Sequence, residues 1–214
     1  MFTNLQLNRT LVSRKLGFMT KKGNAKQVSE SQMLSEWEEI QAAQKNPKLF
    51  KPLYERYYRD IFLFIHKRTA EETLSSEICS NVFLKAMQKI NKYTYKGVPF
   101  SAWLYRIASN EVSQHFRTSS KQRIVSIDSN QVQDLADEIS YDFKRDELEQ
   151  KLTHCLNHLS EQDLTLIELR FFDQKPFKEI ADILGLTESN AKVKTYRITK
   201  KMKTLIVKTN PSKK

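Results

Sequence analysis

The segment from Phe177 to Met202 carries cationic and small polar side chains at a spacing that suits contact with DNA. In its second half, cations recur along one predicted helix and small polar residues lie near its start. Such cations can bind phosphates, and such polar groups can contact base edges in a major groove. An ordinary helical hairpin with a solvated basic face remains the alternative. The candidate contact residues are Ser189, Asn190, Lys192, Val193, Lys194, Tyr196, Arg197 and Lys200.

Two helices and a tight turn are expected to position these side chains. The first helix has an apolar face at i, i+3, i+4 and i+7, formed by Phe177, Ile180, Ala181 and Leu184. Gly185 follows, and a residue without a Cβ permits a sharp turn. The second helix has its own apolar stripe, predicted to consist of Ala191, Ile198, Met202 and Leu205. The pattern predicts a helix-turn-helix with a basic second helix.

Composition indicates a helical protein with a polyanionic partner. The chain has 214 residues, few Gly and Pro, and a formal net charge of +11. That charge favours nucleic acid over a membrane as the partner. No apolar run approaches the ~20 residues that span a bilayer, and the basic N-terminus is a poor secretory signal. We therefore expect a cytoplasmic protein without membrane insertion.

The chain divides into segments of different character. Residues 1–29 form a basic leader that we expect to be disordered, and Met19 within it is an alternative translation start to Met1. Residues 30–117 read as a helical domain that begins at Ser29 or Ser35, with Ser35 and Glu38 as a capping box. Its later helices are predicted at Phe50–His66, Thr73–Lys89 and Phe100 to about Arg117, with a polar and aromatic loop at 91–99.

Residues 118–141 are acidic and interrupted by Ser and Asn, which predicts a flexible linker. The acidic character continues to residue 150, and a solvated surface helix is the alternative for the last third of 118–150. A second helical domain is expected at 142–207, with Ser160 and Asp163 as a capping pattern, and a short tail at 208–214. The predicted fold class is thus all-α, with two small helical domains joined by a flexible acidic linker.

Catalytic and metal-binding patterns are weak in this sequence. Cys79 and Cys155 are the only cysteines and lie far apart, so neither a disulfide framework nor a metal knuckle is indicated. His154 and His158 have chelating i, i+4 spacing, but no further ligand set accompanies them. There is no Gly-rich phosphate loop, nucleophile elbow or distinctive acid–base pair. No enzyme activity, catalytic residue, metal or cofactor is expected.

Two ordered segments resemble bacterial sigma factors of the sigma-70 family, in particular the small extracytoplasmic-function (ECF) type. The N-terminal match runs through LYERYYRDIFLFI, SSEICSNVFLKAMQKI and FSAWLYRIASNEVSQHFR, and the motif of Trp103, Leu104, Ile107, Ala108 and Asn110 fits well. The C-terminal match is LSEQDLTLIELRFFDQKPFKEIADILGLTESNAKVKTYRITKKM. The helix-turn-helix alone is shared with many response regulators. The N-terminal match followed by the C-terminal match in one chain is distinctive of sigma factors.

The resemblance implies sigma region 2 in the first domain and sigma region 4 in the second. Region 4 would read the promoter's minus-35 element, and region 2 would hold the unpaired minus-10 element and bind the RNA polymerase core through its beta and beta-prime subunits. The predicted minus-10 residues are Tyr93, Tyr95, Lys96, Asn110, Gln114 and Arg117. The predicted core-binding residues are Glu77, Ser80, Asn81, Leu84 and Lys85.

The sequence departs from the family pattern at several of these positions. Glu77 stands where the family usually has Asp, and Ser80 where it usually has Gln, which puts affinity for core polymerase in question. Ser109 replaces a frequent Arg and Gln114 a frequent Asp. An anti-sigma protein is a further partner that the resemblance admits. The rival interpretations are a stand-alone helix-turn-helix regulator that binds duplex DNA without core polymerase, and a helical interaction protein with an incidental basic face.

Overall fold

A computed structural model describes residues 28–118, 135–136, 139 and 145–208, and within those ranges the only regular secondary structure is helical. The predicted leader lies outside the described residues except for Val28 and Ser29, and residues 209–214 of the predicted tail lie outside them too. The main helices are α1 (Glu30–Lys45), α2 (Lys51–Thr69), α3 (Glu72–Lys89), α4 (Phe100–Thr118), α5 (Arg145–Asn157), α6 (Glu161–Ile167), α7 (Phe177–Leu184) and α8 (Glu188–Lys208).

The first helix begins at the earlier of the two predicted starts. The Ser29 hydroxyl accepts a hydrogen bond from the Gln32 amide, and the Gln32 side chain accepts one from the Ser29 amide. These reciprocal bonds make a capping box one turn and a half before the one expected at Ser35 and Glu38. The Ser35 prediction was wrong because α1 already runs through that position.

Helices α1 to α4 enclose the N-terminal core. Leu53, Ile61 and Ile65 of α2 are fully buried, as are Val82 of α3 and Leu104 of α4. The aliphatic positions recur at three- and four-residue spacing, so each helix presents one apolar face to its neighbours. Two 3₁₀ turns, Pro47–Phe50 and Ile90–Lys92, lead into α2 and out of α3 respectively.

A buried carboxylate fixes the start of α4. Glu36 of α1 is only 5% exposed, and its Oε2 accepts a hydrogen bond from the Phe100 amide at 3.2 Å. Its Oε1 accepts from Arg56 Nη1 at 3.0 Å and from the Tyr57 hydroxyl. The carboxylate therefore satisfies an otherwise free amide at the N-terminus of α4 and ties α1, α2 and α4 together.

Most of the predicted linker at 118–141 lies outside the described residues. Leu135, Ala136 and Ile139 are described, and all three are helical. Leu135 and Ile139 are buried at 0% and 1% exposure. Leu135 and Ile139 therefore pack into the core, and the flexible linker stays a prediction for the rest of the segment.

The C-terminal domain has the expected helix-turn-helix. Ser160 accepts from the Asp163 amide at 3.2 Å at the start of α6, and a π turn, Glu168–Phe172, follows that helix. Gly185 has φ of +66° and ends α7 in the left-handed conformation that glycine adopts readily. The apolar stripe of α8 differs at one position: Leu205 is 42% exposed, and Ile206 is buried in its place.

None of the described helices is long and apolar enough to cross a membrane.

Candidate nucleic-acid interface

The exposed face of α8 carries most of the predicted duplex-binding residues. Its apolar stripe, Ala191, Ile198 and Met202, is buried against the rest of the C-terminal domain. Because side chains at i, i+3, i+4 and i+7 share a helix face, the opposite positions form one continuous surface. The exposed residues on that surface are Ser189, Asn190, Lys192, Val193, Tyr196, Arg197 and Lys200.

Two of the predicted cations already have acidic partners within the protein. The Lys194 ammonium lies 3.0 Å from an Asp163 carboxylate oxygen of α6 and donates to Gln162 Oε1 at 2.7 Å. Lys192 lies 2.6 Å from Glu188 one turn earlier. Lys192 and Glu188 form an exposed i, i+4 pair on one helix, so Lys192 can exchange partners easily. Lys194 is instead held by side chains of a second helix, α6. The two lysines are therefore not equivalent as phosphate ligands.

The loop at 91–99 is held in place by a side chain from α1. Gln44 Nε2 donates to the Ile90 carbonyl at 2.9 Å and to the Tyr93 carbonyl at 3.0 Å. The Tyr93 ring points inward, is 8% exposed, and packs edge-on against Phe100 at 5.1 Å between centroids. Burial raises the Tyr93 hydroxyl pKa, with the negative charge of Glu36 adding to the effect. In this conformation the Tyr93 ring packs inside the domain and stabilises the loop.

Tyr95 and Lys96 lie nearer the surface of the same loop. The half-buried Tyr95 ring stacks on Trp37 at 6.4 Å, and its hydroxyl lies 3.9 Å from Met33 Sδ. The Lys96 side chain is 58% exposed, and its ammonium lies 3.9 Å from Asp182 of α7. Tyr95 therefore offers the more accessible aromatic surface of the two predicted tyrosines.

The remaining predicted single-strand contacts follow the exposed side of α4. Asn110, Gln114 and Arg117 are all exposed and recur at i, i+4 and i+7. Arg117 donates to the Gln114 side-chain oxygen, so these two residues already contact each other. The structure brings the three together on one strip, and their contact with a single DNA strand stays a prediction.

The predicted polymerase-binding residues share one exposed face of α3. Glu77, Ser80, Asn81 and Leu84 are exposed, and Leu84 is 48% exposed. Lys85 differs, because both oxygens of Glu111 accept from its ammonium at 2.6 Å. Lys85 thus joins α3 to α4 in addition to facing solvent.

Sequence reasoning missed three residues beside these surfaces. Arg106 of α4 lies 3.1 Å from Asp182, the acid that also lies 3.9 Å from Lys96 of the loop. Lys201 lines a groove that also contains Asp163, Asn190 and Arg197. Met87 is 40% exposed and extends the apolar part of the α3 face beyond Leu84. Each of the three lies three or four residues from a predicted contact residue on the same helix, and this spacing is the signal that could have found them. The pairs are Arg106 with Asn110, Lys201 with Arg197, and Met87 with Leu84.

The histidine pair contacts the backbone. His158 Nδ1 lies 2.8 Å from the His154 carbonyl oxygen, within hydrogen-bond distance. Within the described ranges, no group of three or more His, Cys, Asp or Glu side chains is arranged to hold a metal ion.

Comparison with known proteins places both halves of the chain in one family. Family models described as Sigma-70 region 2 and Sigma-70, region 4 match residues 53–122 and 149–202. The chain is 27% identical over 161 residues to the ECF RNA polymerase sigma factor BldN of Streptomyces coelicolor, covering 73% of this chain and 60% of that protein. It is 23% identical to the ECF RNA polymerase sigma factor SigM of Bacillus subtilis, covering 72% of this chain and 92% of SigM.

A solved structure shares the fold. The structure of CnrH in complex with the cytosolic domain of CnrY matches with a TM-score of 0.53 at 20% identity, covering 80% of this chain and 96% of that one. The region 2 model matches the chain before the region 4 model, and the two matches do not overlap. This chain belongs to the sigma-70 family, within its extracytoplasmic-function group. It spans 60% of the length of BldN, the longer of these two relatives.

Proposed function

We propose that the protein is a sigma factor that binds core RNA polymerase and directs promoter recognition, DNA opening and transcription initiation. The observation that carries the proposal is the ordered pair of sigma regions, 2 and then 4, in one chain. A protein that only binds duplex DNA would need only region 4. The net charge of +11 supports a polyanionic partner.

In this proposal α8 enters the major groove of the minus-35 element. Ser189, Asn190 and Val193 lie near its N-terminal end, where a recognition helix contacts base edges. An Asn side chain can bridge adenine, and a Val methyl can touch a thymine methyl. The phosphate ligands are Lys192, Lys194, Arg197 and Lys200, with Tyr196 beside them.

The N-terminal domain would hold the minus-10 element as a single strand. Each base taken from the duplex stack costs a few kcal/mol, and stacking on an aromatic ring returns ~1–3 kcal/mol per base. Tyr95 supplies the accessible ring, and Lys96 a cation beside it. Asn110, Gln114 and Arg117 continue the path of the strand along α4. Tyr93 acts by holding the loop in shape, because its ring is buried.

Core polymerase would bind the exposed face of α3. Leu84 and Met87 provide an apolar centre, and Glu77, Ser80, Asn81 and Lys85 surround it. Interfaces of this kind place an apolar anchor inside a polar rim. Glu77 retains a negative charge where the family pattern usually has Asp, and Ser80 supplies a shorter side chain than the usual Gln.

The partners, location and chemistry follow from this assignment. RNA polymerase supplies the catalysis, so the protein itself acts without a catalytic residue or cofactor. It would work in the cytoplasm, where polymerase and promoter DNA are found. An anti-sigma protein is a compatible further partner, supported by the family resemblance.

The alternative function is a stand-alone helix-turn-helix regulator, and binding assays separate the two. A labelled library of genomic duplex fragments is incubated with the protein alone, with core polymerase alone, and with both. A sigma factor should select specific fragments only when core is present. Equal selection by the protein alone would favour the stand-alone regulator.

A further inference from the structure

More than half of the net positive charge of the chain belongs to the basic leader, residues 1–29. The whole chain has 36 Lys and Arg against 25 Asp and Glu. The leader contains six of these cations and none of the acids, so residues 30–214 have 30 cations, 25 acids and a net charge of only +5. Runs of cations without acids are typical of arms that bind nucleic acid. The leader is therefore the first place to look for a polyanionic partner that the helices do not account for.

The leader joins the N-terminal domain beside the loop at 91–99. Ser29 caps α1, and the sulfur of Met33 in the first turn of that helix lies 3.9 Å from the Tyr95 hydroxyl. One turn later, the Trp37 ring stacks on the Tyr95 ring at 6.4 Å between centroids. The start of α1 is thus adjacent to the aromatic ring that would stack on an unpaired base.

Three of the leader's cations are close in sequence to this junction. Lys26, Lys22 and Lys21 precede Ser29 by three, seven and eight residues. Because a fully extended chain spans at most ~3.6 Å per residue, their Cα atoms lie within about 11, 25 and 29 Å of Ser29. A strand of DNA held at Tyr95 is therefore within reach of all three cations. We call residues 20–28 the proximal leader and residues 1–19 the distal leader.

Helix α1 supplies no cation near this junction. The only cation of α1 is Lys45 in its last turn, and its first half contains the exposed acids Glu30 and Glu38. These carboxylates would repel a phosphate backbone that passes from the loop across the start of α1. Cations that precede Ser29 can offset this repulsion.

The composition of the proximal leader favours a nucleic acid over a membrane. Its sequence, TKKGNAKQV, contains three Lys, and Val28 is its only large apolar residue. Binding to a membrane surface needs an apolar face as well as cations, whereas contact with phosphates needs cations alone. The proximal leader has the second set of properties.

We propose that the proximal leader binds the phosphates of the DNA strand whose bases the 91–99 loop holds. The place of this contact along the strand rests on the function proposed above, because the role of the loop does. The affinity of the proximal leader for DNA phosphates does not rest on it. Phosphate contacts hold the strand without reading its sequence.

Salt-dependent binding of the full chain to single-stranded DNA tests the proposal. A fluorescent oligonucleotide of about eight nucleotides, within the range that one single-strand-binding domain covers, is titrated over a salt series. The K21Q/K22Q/K26Q variant removes the three proximal cations and keeps polar side chains in their place. The slope of log affinity against log salt should become shallower by about 2, since each lost phosphate contact on a single strand accounts for ~0.7.

The matched control is R9Q/R14Q/K15Q, which removes the same charge from the distal leader. Its slope should change by less than half as much, because these cations lie farther along the chain from the loop. Tyr95→Ala should weaken binding of the oligonucleotide with little change in slope, because an uncharged ring releases no counterion. Circular dichroism and urea unfolding check that every variant is folded and show whether its stability has changed.

A slope for K21Q/K22Q/K26Q equal to that of wild type would overturn the proposal, and so would equal changes for the two triple variants. Wild-type affinity for Tyr95→Ala would overturn the placement beside the loop. Vesicles of phosphatidylglycerol test the other polyanion. If they bind wild type but not K21Q/K22Q/K26Q while the DNA slope is unchanged, the cations belong to a membrane contact and the proposal is wrong.

The titration uses no polymerase, so its outcome is separate from that of the sigma-factor assignment. Failure of the protein to start transcription would leave the DNA slopes as measured. An unchanged slope for K21Q/K22Q/K26Q would remove the leader contact and leave the sigma-factor assignment standing.

Discussion

Lys194 of the recognition helix lies 3.0 Å from Asp163 at the start of α6, so the helix that would bind DNA is braced by one of its own cations. The Lys194 side chain is only 31% exposed. The sequence predicts a free phosphate ligand at this position, whereas the structure shows an ammonium that would have to leave an acid first. Arg197, one turn away on the same helix, is exposed.

Arg197→Ala and Lys200→Ala should each weaken DNA binding across all sequences. Each removes a cation that releases counterions on binding, so the slope of log affinity against log salt should fall by ~1. Lys194→Ala should change the slope by less, because its charge is partly compensated by Asp163. Binding of the polymerase complex to promoter duplex over a salt series measures this. A larger slope change for Lys194→Ala than for Arg197→Ala would contradict the prediction.

Substitution of Tyr93 should mainly affect stability, whereas substitution of Tyr95 should mainly affect promoter opening. Tyr93→Ala empties a core position and should lower the free energy of unfolding by about 3 kcal/mol. Tyr95→Ala should lower it by under about 1 kcal/mol, because the ring is half-buried at the surface. Tyr95→Ala should nevertheless reduce permanganate reactivity of promoter thymines, because loss of the stacking ring disfavours the unpaired state and fewer promoters open.

Tyr93→Phe is the matched control for the buried ring, because it keeps the packing and removes only the hydroxyl. It should open promoters like wild type. Wild-type permanganate footprints for Tyr95→Ala would argue against a stacking role for this ring.

The helices were largely predictable because their patterns are local. The apolar positions of α7, and Gly185 after it, are determined by periodicity and by the freedom of a residue without a Cβ. The start of α1 was ambiguous because Ser29 and Ser35 both have capping partners three residues later. Leu205 was misassigned because Ile206 next to it fits the helix face that packs inward.

The exposed helix faces of the site could be predicted from the sequence. The side-chain contacts between distant segments could not be predicted as well. Helical spacing placed Asn110, Gln114 and Arg117 on one strip without any tertiary information. The burial of Tyr93 depends on Phe100 and on Gln44 from another helix. The ion pair of Lys194 depends on Asp163, 31 residues away along the chain. Contacts between distant segments such as these leave no periodic pattern in a single sequence.

Leu84→Glu should lower affinity for core polymerase by about tenfold or more, which corresponds to ~1.4 kcal/mol. A charge placed at the apolar centre of the α3 face would have to lose its water on binding. Leu49→Glu is the matched control, because Leu49 is also 48% exposed but lies in the turn before α2. Titration of fluorescent protein with core enzyme measures both affinities. Equal losses for the two variants would rule out a specific role for α3.

Alkaline pH should destabilise the protein through Cys79. Burial raises the pKa of this thiol from 9.0 to about 12. Between those values the unfolded thiol loses its proton and the folded one keeps it, so the free energy of unfolding falls as pH rises, by up to ~1.4 kcal/mol per pH unit. Below pH 9 the contribution is fully present.

Urea unfolding at a series of pH values from 8 to 11 tests this behaviour. Cys79→Ala should be less stable than wild type at pH 8 because it leaves a small cavity, but its stability should decline less steeply above pH 9. Tyr54, whose pKa is raised to about 12 by burial first and by Tyr58 and Cys79 after it, should still contribute to the decline in the variant, because burial of its ring remains. Parallel decline of the two proteins would contradict the role of the Cys79 thiol.

Reconstituted transcription is the most direct test of whether the protein is a sigma factor. The purified protein is combined with cognate core RNA polymerase and fragmented genomic DNA, and the 5′ ends of the transcripts are mapped. A sigma factor should start transcription at a limited set of positions that share upstream elements, and only when protein and core are both present. Core with the protein giving the same transcripts as core alone would contradict it.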